Sequence, residues 1–288
     1  MKFVVYCCLL LGNFLVYAQE KETIYWQTFH SPPSTIRIGD FDGLGFVDIA
    51  LSKVIEKLPQ YHHEMQLTTL SRALENIKQQ KNTCHPSLYV TPERRKIAYF
   101  SHPSIISPAN RLVMVKNQQL KLNIEAPIKL PEVLNNTSLS VAVVQGRSYG
   151  TQIDHSLLTM VESDNNRLMS ISTERLETLF KLVSSSKVDL TFSYPFELNF
   201  FKKREEVISQ ELIGLMVDGA DQYALGSIGC AKTPFGKKVI SEINAVLLDI
   251  RPTLDYYHAI TTWWEEEREL AQFNDFFNDV FVSSFVEN

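Results

Sequence analysis

The sequence predicts an α/β fold built from two similar units. The chain has 288 residues, which corresponds to roughly two domains at ~100–200 residues each. It is 44% hydrophobic and 21% charged, a composition that supports a sizeable core and excludes a wholly disordered chain. Predicted strands and helices alternate along the chain, pause, and then alternate again. This order is typical of parallel sheets with helical crossovers.

The first eighteen residues are predicted to be a cleaved signal peptide. Lys2 gives a short positive start, and residues 3–17 form an apolar run. Val16 and Ala18 suit the −3 and −1 positions of a cleavage site. The alternative is a membrane anchor, but the run is shorter than the ~20 residues that a spanning helix needs. We therefore expect a secreted mature protein of residues 19–288.

Removal of the signal changes the charge and the cysteine count. Loss of Lys2 takes the formal charge from −5 to −6, and only Cys84 and Cys230 remain of four cysteines. The acidic balance argues against a nucleic-acid partner, since nucleic-acid-binding proteins usually present a basic face.

The first unit begins directly after the signal. Its predicted strands are 22–29, 63–67 and 84–90, and its predicted helices are 46–58 and 71–80, assigned from β-branched content and from apolar spacing respectively. A further helix is expected at Thr91, which suits the N-cap, followed by Pro92 at the first helical position.

The second unit follows a polar stretch. An apolar strand at 111–116 leads out of the first unit, and a turn at 145–150 leads into a helix. The other predicted strands are 139–144, 188–192, a part of 207–217, and 223–231. The other predicted helices are 173–183, 236–248 and 254–270. The simplest arrangement of these elements is a pair of similar α/β units between which the chain crosses twice.

Several segments of the chain match short motifs of one known family in the same order. The segments 91–94 (TPER) and 97–103 (IAYFSHP) are similar to the signature "TPER…dFSxP", and through it the chain resembles the extracellular solute-binding proteins of family three, the polar-amino-acid-type periplasmic binding proteins of bacteria. The remaining matches are 45–50 (GFVDIA), 70–80, 143–148 (VVQGRS), 186–189 (SKVD) and 260–264. Each motif is short, but their order covers nearly all of the mature chain.

This resemblance implies a two-lobed fold of type II, in which each lobe is a mostly parallel sheet flanked by helices. Residues 19–117 and 222–288 would form a discontinuous first lobe, and residues 118–221 an inserted second lobe. Two crossing strands, near 114–117 and 221–227, would act as the hinge. The ligand would lie in the cleft between the lobes, beyond the carboxyl ends of the strands.

The resemblance also implies a ligand site around Arg94. In amino-acid-binding relatives the arginine of this motif holds the ligand carboxylate, which suits the fork of a guanidinium; a surface ion pair is the alternative. Ser87 and Tyr89 share a face of the preceding strand, and with Thr91 they are candidate ligand-binding residues. Tyr89 replaces a small residue, so we expect a narrower pocket.

The second lobe is expected to contribute Gly146, Arg147 and Ser148, at a strand-to-helix turn that relatives use to bind the same carboxylate. Tyr194 stands where relatives that bind α-amino acids carry the aspartate that holds the ammonium group. Standard α-amino-acid recognition is therefore not expected.

Trp26 and Phe29, at the end of the first strand, are candidates for an aromatic wall of the site; either could equally belong to the core. In this fold Cys230 would lie beside Cys84, so a disulfide is expected, with two free thiols as the alternative.

No cofactor and no metal are expected. In particular, no motif with metal-ligand spacing occurs among the seven histidines. No catalytic residue is predicted, because the sequence lacks a nucleophile elbow. The expected function is capture of a small, carboxylate-bearing ligand by a monomer, which delivers it to a membrane transporter or receptor. A lyase-type enzyme on the same fold and a soluble sensory module remain the alternatives.

The C-terminal stretch is rich in phenylalanine. Phe273, Phe276, Phe277, Phe281 and Phe285 follow helical spacing, so one face of a helix would be apolar. This face either packs against the first lobe or docks a partner.

Overall fold

The computed structural model describes residues 20–79, 82–163, 165–173, 176–203, 209–263 and 273–286. The expected signal peptide lies outside these residues. The strands are β1 (Thr23–Thr28), β2 (His62–Leu67), β3 (Thr83–Leu88), β4 (Ala98–Pro108), β5 (Arg111–Val115), β6 (Val141–Val144), β7 (Leu168–Ile171), β8 (Leu190–Ser193), β9 (Leu212–Leu215) and β10 (Tyr223–Ala231).

The helices lie between and after these strands. They are α1 (Phe46–Glu56), α2 (Leu70–Gln79), α3 (Pro92–Arg95), α4 (Lys116–Leu122), α5 (Leu130–Leu134), α6 (Thr151–Ser163), α7 (Glu177–Ser184), α8 (Pro195–Lys202), α9 (Pro234–Ile250) and α10 (Leu254–Thr261), with a 3₁₀ turn at Asn165–Arg167 and a π-helical segment at Phe277–Phe281. No helix within the described ranges combines the length and the apolar character needed to cross a bilayer.

Two five-stranded sheets organise the molecule, in the orders β2-β1-β3-β10-β4 and β7-β6-β8-β5-β9. In each sheet four strands run in one direction and one runs against them, β10 in the first sheet and β5 in the second. The two sheets therefore have the same layout, and the expected α/β fold with two similar lobes is confirmed. We refer to the parts built on the first and second sheets as lobe 1 and lobe 2.

Threonine caps begin three of the helices. The side chains of Thr91, Thr233 and Thr253 each accept a hydrogen bond from the backbone N–H three residues later, which satisfies donors that the first helical turn leaves free. Pro92 and Pro234 follow two of these caps, at a position where a missing N–H costs nothing. The helix start predicted at Thr91 is confirmed.

The crossings between the lobes differ from the expectation. β5 pairs with β8 and β9 and so belongs to the second sheet. The chain therefore first crosses at residues 109–110, and not at 114–117. The apolar run 112–115 is buried on both faces because β5 lies in the interior of its sheet. The return crossing is at residues 216–222, before β10.

Two prolines interrupt the first sheet. β4 contains Pro103 but lies at the edge of the sheet, where a strand tolerates a residue that lacks an N–H. Pro86 lies within β3, whose pairing with β1 ends at Cys84 and whose register with β10 shifts between Ser227 and Gly229. The end of β3 is thereby released from β1, while Leu88 stays paired with Ser227 beyond the register shift; such irregular pairing often occurs beside functional sites.

A disulfide joins Cys84 of β3 to Cys230 of β10, as expected. The two residues face each other across the antiparallel pair and are fully buried. Their sequence separation of 146 residues encloses all of lobe 2. The cross-link therefore restricts a very long loop of the unfolded chain.

The C-terminal segment packs onto lobe 1. Phe273, Phe277 and Phe281 are buried in a core cluster with residues of α1, α9 and α10. The buried guanidinium of Arg251 donates hydrogen bonds to the carbonyls of Phe281 and Ser284, at 3.0 and 3.1 Å. Burial lowers the pKa of Arg251. The described part of the segment thus supports packing, and the predicted helical residues 264–270 lie outside the described residues.

Loss of the disulfide is expected to destabilise the mature protein. Replacement of both Cys84 and Cys230 by alanine should lower the free energy of unfolding by ~2–5 kcal/mol, because the chain-entropy estimate for so long a loop is ~4–5 kcal/mol and measured values are often smaller. Unfolding in urea, followed by circular dichroism, measures the difference. Reductant should destabilise the wild type and leave the double variant unchanged. Alkylation of two thiols in denatured, unreduced wild type would contradict the disulfide.

A matched pair of phenylalanines tests the packing of the C-terminal segment. Phe281 is 0% exposed and Phe285 is 62% exposed. Phe281→Ala should destabilise the protein by ~3–5 kcal/mol, the usual cost of emptying a buried aromatic position. Phe285→Ala should change stability by less than ~1 kcal/mol. Equal melting temperatures for the two variants would show that the segment does not pack as described.

Candidate functional site

A cavity of about 110 Å³ lies between the two lobes. Many of its wall residues lie at or just beyond the carboxyl ends of four strands, β1 and β3 in lobe 1, and β6 and β8 in lobe 2, and the others come from α1, α2, β4 and β10 of lobe 1. Parallel strands bring such residues to one edge of a sheet, and the two edges face each other here. The residues that line it are Phe29, Ser31, Ser34, Thr35, Phe46, Val47, Leu70, His85, Ser87, Leu88, Tyr89, Arg94, Ile105, Ser107, Arg147, Ser148, Tyr194, Phe196, Glu197, Ala224, Leu225 and Gly226.

Arg94 lines the cavity from lobe 1 and reaches lobe 2. Its side chain is 7% exposed. Nη1 donates to the carbonyl of Tyr89 at 2.9 Å, and Nη2 donates to the carbonyl of Gly146 in lobe 2 at 2.7 Å. Burial lowers the pKa of Arg94 to about 10, so the guanidinium stays charged at neutral pH. Arg94 therefore carries a buried positive charge and a hydrogen bond across the cleft.

Thr91 and Gly146 act through Arg94 and do not line the cavity. The hydroxyl of Thr91 accepts from the backbone N–H of Arg94 at 3.3 Å and so fixes the short helix α3 that carries the arginine. Gly146 has a positive φ of 81°, and a Cβ there would lie 3.1 Å from Cδ1 of Leu74 in lobe 1. The turn after β6 thus approaches lobe 1 as closely as a glycine allows.

Arg147 is the second buried cation of the cavity. Its Nη2 donates to Oε2 of Glu197 at 2.8 Å, and its guanidinium lies 5.2 and 5.1 Å from the ring centroids of Tyr149 and Tyr194. Burial disfavours the charge, but Glu197 and the two tyrosines outweigh this, and the pKa of Arg147 is raised. Arg147 therefore remains protonated and holds the wall of lobe 2 together.

Glu197 is the carboxylate that sequence reasoning missed. It is almost fully buried on α8. Besides Arg147, its oxygens accept from Ser193 Oγ at 2.9 Å, from the Tyr194 N–H at 3.0 Å and, across the cleft, from Ser31 Oγ at 3.0 Å. The sequence signal was a proline at the first helical position followed by a glutamate at the third, which is typical of a helix start whose carboxylate turns back to cap it.

Two tyrosines meet across the cleft. Tyr89 from lobe 1 and Tyr194 from lobe 2 both line the cavity and lie close enough to interact, and burial raises the pKa of both. Tyr194 also stacks on Phe196, with ring centroids 5.0 Å apart. Phe196 in turn contacts Phe46 of lobe 1 edge to face. The cleft is thus closed by aromatic contacts at one side of the cavity.

The predicted serines and Phe29 lie at the cavity, and Trp26 does not. Ser148 donates to Asp154, which also accepts from the Tyr149 N–H at 2.8 Å. Ser87 faces Gly226, where a Cβ would lie 2.3 Å from Ser87 Oγ. Trp26 is fully buried in the core of lobe 1, with Nε1 donating to His63 at 3.1 Å. Successive residues of a strand point to opposite faces, so Trp26 and Phe29, three positions apart, point in different directions. Of the two aromatic candidates, Phe29 lines the cavity and Trp26 belongs to the core.

His85 is a second residue of the cavity wall that sequence reasoning missed. It precedes Ser87 and Tyr89 by two and four residues, and this spacing of two could have identified it. Burial, with the nearby charge of Arg94, lowers its pKa to about 3. The imidazole is therefore neutral at physiological pH. Within the described ranges, no group of three or more His, Cys, Asp and Glu residues is placed to hold a metal ion.

Comparisons with known proteins find relatives by structure. No protein-family model and no curated protein matches the sequence. A mutant of ArgBP from T. maritima superposes with a TM-score of 0.63 at 16% identity, over 85% of this chain and 96% of that one. A histidine kinase sensor domain with similarity to periplasmic binding proteins gives 0.64 at 14% identity, over 84% and 96%.

A third solved structure is the ancestral amino acid-binding protein AncCDT-1, described as a precursor of cyclohexadienyl dehydratase. It superposes with a TM-score of 0.62 at 19% identity, over 84% of this chain and 96% of that one. These likenesses show the fold: the chain has the two-lobed α/β architecture of periplasmic binding proteins, and the fold class expected from the sequence motifs is confirmed.

The neutral state of His85 predicts a dependence of stability on pH. In the unfolded chain the histidine takes up a proton below about pH 6.5, whereas in the folded protein it does so only near pH 3. Stability therefore falls as the pH is lowered through this window. Between pH 7 and pH 5 the wild type should lose about 2 kcal/mol more than His85→Leu, at 1.36 kcal/mol per pH unit.

Urea unfolding of both proteins at pH 5 and pH 7 measures this difference. His258→Leu is the matched control, because His258 is exposed and its removal should leave the pH dependence of the wild type unchanged. The same pH dependence in His85→Leu and in wild type would show that His85 is charged in the folded protein.

Proposed function

We propose that this chain is a periplasmic solute-binding protein that captures a small carboxylate-bearing molecule between its lobes and delivers it to a membrane transporter or sensor. The supporting observation is the charge of the enclosed cavity. Among the described lining residues, Arg94 and Arg147 are cations and Glu197 is the carboxylate, so the walls carry an excess of one positive charge. An anionic ligand would neutralise this excess.

The position of the cavity supports binding by closure of the lobes. Its walls belong to both lobes, and within the described ranges the chain crosses between them at residues 109–110 and 216–222. A rotation about these crossings would open the cleft with little change inside either sheet. Opening would also separate Nη2 of Arg94 from the Gly146 carbonyl and free an N–H for the ligand. The ligand carboxylate would then compete with that carbonyl for the guanidinium.

The delivery step is inferred from the class of protein and from the expected signal peptide. One neighbour by structure is a sensor domain and another is a precursor of a dehydratase, so the same fold serves more than one kind of function. A binding protein returns its ligand unchanged, and this property distinguishes it from an enzyme.

A ligand screen with variants of two adjacent arginines tests the proposal. Thermal shift against carboxylates, amino acids, amines and short peptides should select carboxylates, and calorimetry gives their affinity. A micromolar ligand at millimolar concentration should stabilise the protein by ~4 kcal/mol. Arg94→Ala should weaken binding at least tenfold, because a charge-assisted hydrogen bond contributes ~1.5–3 kcal/mol.

Arg95→Ala is the control, since Arg95 is adjacent but exposed, and it should bind as tightly as wild type. Circular dichroism and melting of both variants establish that they are folded. Equal affinity in Arg94→Ala and wild type would refute the role of Arg94. Consumption of a bound ligand, followed by NMR, would favour an enzyme over a binding protein.

A further inference from the structure

The imidazole of His85 has one nitrogen in use and one without a partner. The residue lines the cavity and is 7% exposed. Its Nδ1 accepts a hydrogen bond from the backbone N–H of Ser87 at 3.2 Å. Its Nε2, on the opposite side of the ring, is buried and has no hydrogen-bond partner among the described residues. Buried polar atoms are nearly always paired, so an unpaired one needs an explanation.

The bond to Ser87 decides which nitrogen carries the proton. A neutral imidazole has one donor and one acceptor nitrogen, and Nδ1 must be the acceptor because the Ser87 N–H can only donate. The proton is therefore on Nε2, and the unpaired atom is an N–H donor. Burial and the charge of Arg94 oppose a second proton on the ring. The ring of His85 thus has one donor that is not in use and no acceptor that is free.

The other polar groups of the cavity favour the same kind of partner. Arg94 and Arg147 are cations, and eight lining residues carry hydroxyls, which can donate or accept: Ser31, Ser34, Thr35, Ser87, Tyr89, Ser107, Ser148 and Tyr194. Among the described lining residues the carboxylate is Glu197, whose oxygens already accept four hydrogen bonds. An ammonium group would therefore meet two cations and a carboxylate that is already engaged, whereas an oxygen acceptor would meet the N–H of His85.

We propose that His85 is a ligand-binding residue, whose Nε2–H donates to an oxygen of a small carboxylic acid that carries a second oxygen acceptor in place of an amino group. Hydroxy acids, oxo acids and short dicarboxylic acids have this chemistry. This inference rests on the proposed binding function and narrows its ligand class. The cavity of about 110 Å³ is somewhat smaller than the ~150 Å³ cavity that holds benzene. Its volume therefore suits acids that are no larger than a benzene molecule.

Matched pairs of acids test the class of ligand. Glycolate and glycine, and lactate and alanine, differ in a hydroxyl that replaces the ammonium, and succinate and β-alanine differ in a carboxylate that replaces it. Calorimetry with the mature wild-type protein should show that the oxygen-bearing member of a pair binds at least about tenfold more tightly. Equal or tighter binding of the amino-bearing members would overturn the inference while the binding function stands. If none of the six probes binds, both the proposed binding function and the proposed role of His85 are wrong for these acids.

Two substitutions test the histidine itself. His85→Leu removes the donor and should lower the affinity for the preferred oxygen-bearing probe about 10- to 100-fold. The variant should stay folded, because removal of the unpaired Nε2 opposes the loss of the Nδ1 acceptor for the Ser87 N–H, and circular dichroism checks this. His85→Gln keeps an N–H donor and should retain more affinity than His85→Leu. His258→Leu, at an exposed position, should bind as wild type. Unchanged affinity in His85→Leu would overturn the assignment and leave the binding function intact.

An NMR measurement provides a readout that packing alone would not change. Nitrogen-15 spectra of the His85 ring should show the Nε2–H tautomer, and the Nε2 resonance should shift when the bound probe is added. The Nδ1–H tautomer, or an Nε2 resonance that does not respond to a bound probe, would contradict donation to the ligand.

Discussion

The structure of the cleft depends on the hydrogen bonds and the ion pair that stabilise one buried carboxylate, that of Glu197. A buried charge is strongly unfavourable unless paired and fully hydrogen-bonded, and here Arg147, Ser193, the Tyr194 backbone and Ser31 together replace water. Three of these partners hold the wall of lobe 2, and Ser31 ties that wall to lobe 1. The same carboxylate also holds the backbone of Tyr194, which lines the cavity opposite Tyr89. The shape of the cavity, its net charge and the contact between the lobes therefore all depend on Glu197.

Much of the fold was predictable from local chemistry. The strand at Tyr223–Ala231, the helix start at Thr91, and the alternation in both lobes follow from β-branched runs, capping residues and apolar spacing, which act over short distances. Of the candidate site, Arg94, Tyr89, Ser87, Arg147, Ser148, Tyr194 and Phe29 line the cavity. These residues follow strand ends, and the topology of an open α/β sheet brings strand ends together.

The remaining features depend on pairings that the local pattern does not contain. β4 was not predicted because Pro103 argues against a strand, and only its edge position makes the proline acceptable. β5 was placed with the wrong lobe because an apolar run does not reveal which sheet buries it. Glu197 and His85 are polar residues whose burial is made possible by partners far along the chain or by a ligand, and neither can be identified from neighbouring residues alone.

The bond between Cys84 and Cys230 gives the chain a topology that neither lobe would have separately. All of lobe 2 lies between the two half-cystines, in a closed covalent ring that also contains α3, β4 and most of β10 of lobe 1. A single peptide bond cut anywhere in that ring would leave both fragments joined and both sheets attached to each other. In an environment that contains proteases, a single cut in lobe 2 would therefore not release it.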